Sequence, residues 1–375
     1  MPRSRFIMQQ LKPIMLTTVL ILTVLVVGVT LFMRQATFGS DPASERLDRI
    51  RKSPNFRDGS FQNLTPTAVM RENASYAAML TDYVNKPKDN VPPRPLPSVR
   101  TNLKTLPDST PAIVWFGHSS YLIRSKGVTV LVDPVFSGSA SPVSFFGRSF
   151  AGSDVYSVDD MPDIDLLVLS HDHYDHLDYK TITQLIPKVK KFYTGLGVGA
   201  HLERWGVPAD RIVEFDWWER QPVADGIDLI ATPARHFSGR SFARGKTLWT
   251  SFVLHLNGST IFLGGDSGYG PHFQEIGEKY GPFDLAILEC GQYGRDWPSI
   301  HMFPEEVATA AGDLRARTLL PVHWGKFTLA NHSWNEPIKR LLKQAASQKL
   351  DVTTPRIGEP VLLGSVHPDS DWWNF

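Results

Sequence analysis

The sequence predicts a layered α/β domain carried behind an N-terminal transmembrane helix. Three observations lead there. Ile14 to Met33 is a run of twenty residues without a charge. From Ala112 onward, short apolar strands alternate with short helical stretches. Hydrophobic residues make up 42% and charged residues 21% of the 375, the makeup of a globular chain with a sizeable core.

About 20 apolar residues cross a bilayer as a helix, whereas the apolar core of a cleaved signal peptide has about 7–15. The run here is longer, and neither a small-x-small cleavage site nor a cysteine follows it. An uncleaved anchor over residues 1–35 is therefore expected, and a lipoprotein anchor is excluded. Arg3, Arg5 and Lys12 precede the span and Arg34 alone follows closely, with Arg46, Arg49, Arg51 and Lys52 further on. The positive-inside rule then places the N-terminus in the cytoplasm and the rest across the membrane, on the periplasmic side of a bacterial inner membrane.

Residues 36–110 read as a connecting region. Leu47 to Lys52 is a short charged helix, Thr67 to Tyr83 a second helix, and Lys86 to Pro97, with five prolines, is extended. Residues 111–375 form the catalytic domain. Its expected strands are Ala112 to Phe116, Tyr121 to Arg124, Val128 to Val132, Ile164 to Leu169, Ile212 to Phe215, Ile227 to Ala231, Ser251 to Leu254, Thr260 to Leu263, Leu285 to Leu288 and Thr318 to Val322. Lys126-Gly127 makes the second and third a hairpin. The expected helices are Tyr179 to Ile186, Phe273 to Tyr280, Pro304 to Ala316 and Pro337 to Ser347.

With 39 basic and 38 acidic residues, the chain lacks the basic excess of a nucleic-acid binder. Its one cysteine, Cys290, permits no intramolecular disulfide and no cysteine-based zinc site, and is expected in the core. Any metal must be held by His, Asp and Glu.

Those residues cluster where strands end. Ile164 to Leu169 runs into Ser170 and then His171-Asp172-His173-Tyr174-Asp175-His176. Three imidazoles and two carboxylates in six residues do not suit a core segment, and they exceed what one closed structural site needs. In a strand-end loop, His171 and His173 reach one cation while Asp175 and His176 reach another about 3.5–4 Å away. His236, Asp266 and His323 each follow an apolar strand, and ligands gather outside strand ends in α/β sheets. One site then takes His171, His173 and His236. The other takes Asp175, His176 and His323. Asp266 bridges them and leaves room for a shared water or hydroxide. Two Zn²⁺ suit the imidazoles, although iron and manganese also accept His/Asp sets. Two cations lower the pKa of that water towards neutrality.

The order His-x-His-x-Asp-His, then spaced His, Asp and His, resembles the metallo-β-lactamase superfamily. Asp133, at the end of Val128 to Val132, sits where that superfamily has an Asp behind its ligands. The resemblance implies a four-layer αββα sandwich. A narrower likeness spans about Pro111 to Glu359: Trp115 to Ser120, Asp133 to Ser137, Ser170 to Tyr179, Asp216 to Glu219, Gly265 to Tyr269, Gly281 to Leu285 and His323 to Phe327 are similar to N-acyl-phosphatidylethanolamine-hydrolysing phospholipase D and its bacterial relatives. Asp172 stands where that family has Asn, the segment before His301 is shorter, and Ile300 replaces a polar residue. His301 with Pro304-Glu305-Glu306 still matches a His near the family's active site, so Asp266 and His301 are the expected catalytic residues.

His118 is expected behind the ligands. Tyr269, Tyr293 and Trp324 are expected at the substrate; Trp217, Trp218 and Trp324 either line an acyl channel or, as aromatic residues more often do, pack in the core. The expected reaction is hydrolysis of a phosphodiester in an N-acyl-phosphatidylethanolamine-like lipid by a metal-bridging hydroxide. A lactonase or other carbonyl-ester hydrolase of the same fold is the second reading, and a non-catalytic metal-binding protein the third. The partners are a phospholipid or other ester and, through the N-terminal helix, the membrane; a homodimer stays open.

Overall fold

The computed structural model describes residues 2–375 and starts with α1 (Pro2–Met33). Met15–Met33 is long and apolar enough to cross a membrane, and the domain buries none of it. The side chains of Arg3, Arg5 and Lys12, on which the expected topology rests, lie outside the described ones. Next come α2 (Ser44–Lys52), β1 (Phe56–Arg57), β2 (Ser60–Phe61) and α3 (Tyr76–Val84). The helix expected over Thr67 to Tyr83 is thus shorter and later. Ser75 caps it, its Oγ accepting from the Ala78 amide at 3.3 Å. The residues before the cap are irregular and carry Val69 and Met70 to the functional cavity.

The domain follows as β3 (Ala112–Trp115), β4 (Tyr121–Ser125), β5 (Val128–Val132), β6 (Ile164–Leu169), α4 (Tyr179–Leu185), β7 (Val189–Gly195), α5 (Gly199–Arg204) and β8 (Ile212–Phe215). The second half is β9 (Arg220–Ala224), β10 (Ile227–Thr232), β11 (Ser251–Leu256), β12 (Ser259–Leu263), α6 (His272–Tyr280), β13 (Leu285–Glu289), α7 (Pro304–Asp313), β14 (Thr318–Val322), α8 (Glu336–Gln348) and β15 (Asp351–Val352). Finally β16 (Pro360–Leu362) returns to the first half.

These strands form two seven-stranded sheets, ordered β16-β3-β4-β5-β6-β7-β8 and β15-β14-β13-β12-β11-β10-β9. Each combines an antiparallel meander with a parallel run: β5 to β8 in one, β12 to β15 in the other. Period-two alternation decides the layers. In β4 and β6, Tyr121, Ile123, Leu166 and Val168 face the core between the sheets. Leu122, Leu167 and Leu169 face outward onto α4 through Ile182 and Leu185. Ile276, Val307 and Ile338 of α6, α7 and α8 pack into the core of the second sheet. The result is the expected four-layer αββα sandwich.

Residues 36–110 pack into the same body. Ile50 and Phe61 are buried with Leu196, Trp217, Leu248 and Trp249, so Trp217 lines no channel. Leu96, Leu103 and Leu106 are buried against the sheets. Cys290 is fully buried, as expected.

Candidate metal centre

Seven side chains converge at one edge of the sandwich, from loops that leave β6, β10, β12 and β14 at the same end. His171 Nε2 lies 2.9 Å from His173 Nδ1. His236 Nε2 is 3.2 Å from that same His173 atom. Both outer rings stand 3.8 Å from Asp266 Oδ2. On the other side of Asp266, Oδ1 is 3.1 Å from His176 Nε2 and 3.2 Å from His323 Nδ1. Asp175 Oδ2 is 3.6 Å from His176 Nε2.

These separations fit a cation in each half. A tetrahedral ion with bonds of about 2.0–2.1 Å holds its ligands about 3.3 Å apart. His176 Nε2 and Asp266 Oδ1 are buried without hydrogen-bond partners although they face each other. Burying two such atoms costs about 1–3 kcal/mol each unless something else satisfies them. Their misalignment is that of atoms aimed at a common centre. The two oxygens of Asp266 face different halves, which suits a bridging carboxylate.

The electrostatics agree for His171, His236 and His323. Burial and mutual repulsion hold His171 well below the usual imidazole range. Burial does the same to His236 and His323, against the pull of Asp266. A neutral imidazole is the form that ligates. Burial pushes Asp266 up, but His176 and His323 hold it far below the ordinary carboxylate range. His176 is raised, because Asp266, Asp175 and Asp133 outweigh its burial.

Several of these side chains are held by neighbours outside the donor set. Asp133 Oδ2 is 2.8 Å from His176 Nδ1, and the carboxylate is fixed by the Ser170 amide at 2.8 Å and hydroxyl at 2.6 Å. His118 Nε2 holds Asp175 Oδ2 at 2.8 Å. His236 Nδ1 donates to the Ile300 carbonyl at 2.8 Å, which leaves Nε2 free. Ser119 Oγ is 2.8 Å from His323 Nδ1. The loops of His118 and His323 exchange backbone bonds: His323 N donates to His118 O at 2.8 Å, and His118 N to Trp324 O at 2.9 Å. His118, Asp133 and His323 all have positive φ, +52°, +41° and +65°. Such strain in non-glycine residues gathers at functional sites. Gly265, at φ +60°, brings Asp266 in: a Cβ there would lie 2.7 Å from Ser170 Cβ.

His301 lines the same cavity, its Nδ1 2.8 Å from Glu289 Oε2. Glu289 was not among the expected residues. It ends β13 just as the others end theirs, so the strand-end signal points to it too. Asn63, from the connecting region, brackets His236: its Oδ1 accepts from His236 N at 3.0 Å and its Nδ2 donates to His236 O at 2.8 Å. No sequence signal marks it.

The cavity, of about 320 Å³, opens over the two halves. Val69, Met70, Met79, Phe237, Ile300 and Leu329 give it an apolar wall. The three expected substrate residues are elsewhere. Tyr269 donates to Asp313 Oδ2 at 2.7 Å and stacks on Phe273. Tyr293 donates to Glu336 Oε1 at 2.7 Å and lines a neighbouring polar cavity. Trp324 is 2% exposed and stacks on Trp115 and on Trp372 at 5.5 and 5.1 Å, because a large apolar ring beside His323 is better buried than wetted. Asp172 turns away from the cavity and accepts from the Gly239 amide at 2.7 Å, Thr247 Oγ1 at 2.9 Å and His201 Nε2 at 3.3 Å.

Residues 128–324, more than half of the chain, match the family model of the beta-lactamase superfamily domain. The chain belongs to the metallo-β-lactamase superfamily. Within it, the chain is 40% identical to an uncharacterized protein of Mycobacterium tuberculosis over 348 residues, 91% of this chain and 92% of that one. It is 32% identical to N-acyl-phosphatidylethanolamine-hydrolyzing phospholipase D 1 of Caenorhabditis elegans over 251 residues, 64% of this chain and 70% of that one. Among solved structures, the metallo hydrolase Igni18 of Ignicoccus hospitalis shares the fold, with a TM-score of 0.54 at 22% identity over 68% of this chain and 100% of that one. This superfamily member is a metal-dependent hydrolase, with His/Asp clusters suited to hold its metal.

Proposed function

We infer that the chain is a membrane-anchored, dinuclear phosphodiesterase of phospholipase D type, acting on N-acyl-phosphatidylethanolamine-like lipids. The observation that carries this reading is Asp266, with one oxygen towards His171 and His236 and the other towards His176 and His323, beneath an apolar-walled cavity. His171, His173 and His236 would hold one ion, and Asp175, His176 and His323 the other, with Asp266 between and Zn²⁺ the ion best suited to the donors. When bound, two such ions supply a water of near-neutral pKa and offset charge on the phosphoryl oxygens.

The chain's own residues do the remaining work. The apolar wall takes an acyl chain and excludes water. Asp266, kept in its charged form by His176 and His323, would join the two halves. His301, with Nδ1 tied to Glu289, keeps Nε2 as its free ring nitrogen for the leaving-group oxygen. The anchor is α1, with the domain on the periplasmic side, and a helix fixed in the bilayer holds this cavity near lipid.

The test is one preparation of full-length protein, fully metallated in detergent, offered an N-acyl-phosphatidylethanolamine and a panel of lactones and carboxylic esters. Release of phosphatidic acid and an N-acylethanolamine is the expected result. Turnover of the carbonyl esters alone would make the chain a carbonyl-ester hydrolase of the same fold.

A further inference from the structure

Outside α1, Phe145 and Phe242 are among the most exposed large apolar side chains, at 79% and 86%, and Phe146 beside the first is 52% exposed. Both lie on loops that meet the exit of α1. Ser139 pairs with Arg148 in a bridge, and Ser139 Oγ donates to the Phe146 carbonyl at 2.7 Å, which holds Phe145 and Phe146 at the tip of a closed loop. A cavity is lined jointly by Gln35, Ala36 and Thr37, just past α1, and by Ser139, Pro142 and Ser144 of that loop. On the other loop, Arg240 stands two residues before Phe242 and donates through Nη2 to the Thr37 carbonyl at 2.8 Å.

The exit of α1 is fastened at several points. Arg204 donates to Arg34 O and Trp205 to Ala36 O, each at 2.7 Å. The Ser40 amide donates to His201 Nδ1 at 2.9 Å. With α1 ending at Met33, this leaves no slack between span and domain. Whatever surrounds Gln35 to Thr37 must lie at the membrane surface if α1 spans the membrane.

We propose that the Phe145–Phe146 and Phe242 loops are a second contact with the lipid bilayer, inserting their rings beside the exit of α1. The proposal rests on the reading of α1 as a membrane anchor. Moving one exposed phenyl ring out of water gains about 1.5–3 kcal/mol. Arg148, Lys180 and Arg244 lie on the same loops or on the shared cavity and suit anionic headgroups, at about 1 kcal/mol per cation near the surface. The surface also reaches the metal cavity. Phe237 lines that cavity, and the Arg244 guanidinium lies 5.0 Å above its ring. The loop from Phe237 to Arg244 thus closes on the cavity wall at both ends and carries the exposed Phe242 between them.

The native Cys290 is buried, so a cysteine introduced at the surface takes a fluorophore selectively. Full-length Phe145→Cys, Phe242→Cys, Val24→Cys and Val366→Cys proteins carry the dye in phosphatidylcholine–phosphatidylglycerol vesicles that contain brominated lipids. Val366 is 99% exposed and follows β16, the sheet edge opposite β8 and the α1 exit. The expected result is quenching at 145 and 242 at least twofold stronger than at 366, with strong quenching at 24. Quenching at 24 with 145 and 242 no different from 366 overturns the second contact and leaves the anchor intact. No quenching at 24 overturns the anchor reading and this proposal with it.

Discussion

Glu289 directs a fully buried carboxylate onto His301, Oε2 to Nδ1 at 2.8 Å, at the edge of the donor cluster. Burial pushes Glu289 up against the opposing charge of His301, and Glu289 in turn raises His301 in spite of its burial. The pair fixes which ring nitrogen of His301 is available. Glu289→Gln keeps the size and loses the charge. We expect kcat to fall about 10–100-fold while bound metal stays unchanged, as for other groups that orient a reacting imidazole. Steady-state kinetics with metal analysis of the same sample decides it; an unaltered kcat rejects the role.

His118 meets one half of the cluster, through Asp175 and against the ring of His323 at 4.1 Å. His118→Ala should weaken one of the two ions by about 10–100-fold and leave the other in place. Dialysis against graded chelator, with elemental analysis of the retained metal, reads the difference. Equal loss of both ions contradicts the division into halves.

Arg240 is fully buried without a close carboxylate partner and donates to three carbonyls: Thr37, Asp172 and Leu177, the last two at 2.6 and 2.7 Å. Its guanidinium also lies 4.1 Å over the ring of Tyr174. Arg240→Met fills much of the volume but leaves those carbonyls unpaired, at about 1–3 kcal/mol for each one kept from water. A destabilisation of about 3 kcal/mol or more is expected in chemical denaturation, together with weaker metal binding, since Asp172 and Leu177 flank the ligand loop.

His272 gives a pH dependence of defined sign. Burial, helped by Arg235, pushes it down to about 3. The unfolded chain takes up this proton near 6.5 and the folded chain does not, so the unfolded state binds more protons between those values. The contribution of His272 to stability is therefore intact above about pH 6.5 and is lost as pH falls towards 3. His272→Gln removes it. Between about pH 6 and 4 the wild type should lose stability more steeply than the variant, by about 1.4 kcal/mol per unit. Parallel slopes in pH-resolved denaturation reject the assignment.

Much of the architecture was legible because strand ends and ligand loops coincide. Val128–Val132, Ile164–Leu169, Ile212–Phe215 and Thr318–Val322 have the bounds their apolar runs predict. β7 was not recognised, because Lys190 and Lys191 interrupt its apolar pattern and are tolerated as exposed positions of a strand buried elsewhere. β15 and β16 have two and three residues, too few for any periodicity. Within the site, the strand-end rule that pointed to His236, Asp266 and His323 applies equally to Glu289. Asn63, Val69 and Met79 lie in a segment whose composition says linker. Only tertiary packing shows that it walls the cavity and braces His236.

The tryptophan stack under His323 has a consequence for synthesis. Trp324 packs against both Trp115, made early, and Trp372, made 48 residues after it, with Trp373 edge-on at 5.6 Å. A chain still on the ribosome at residue 350 already contains every proposed donor, yet the turn that presents His323 has no floor. Ion uptake by that half is thus expected only once Trp372 and Trp373 have cleared the exit tunnel.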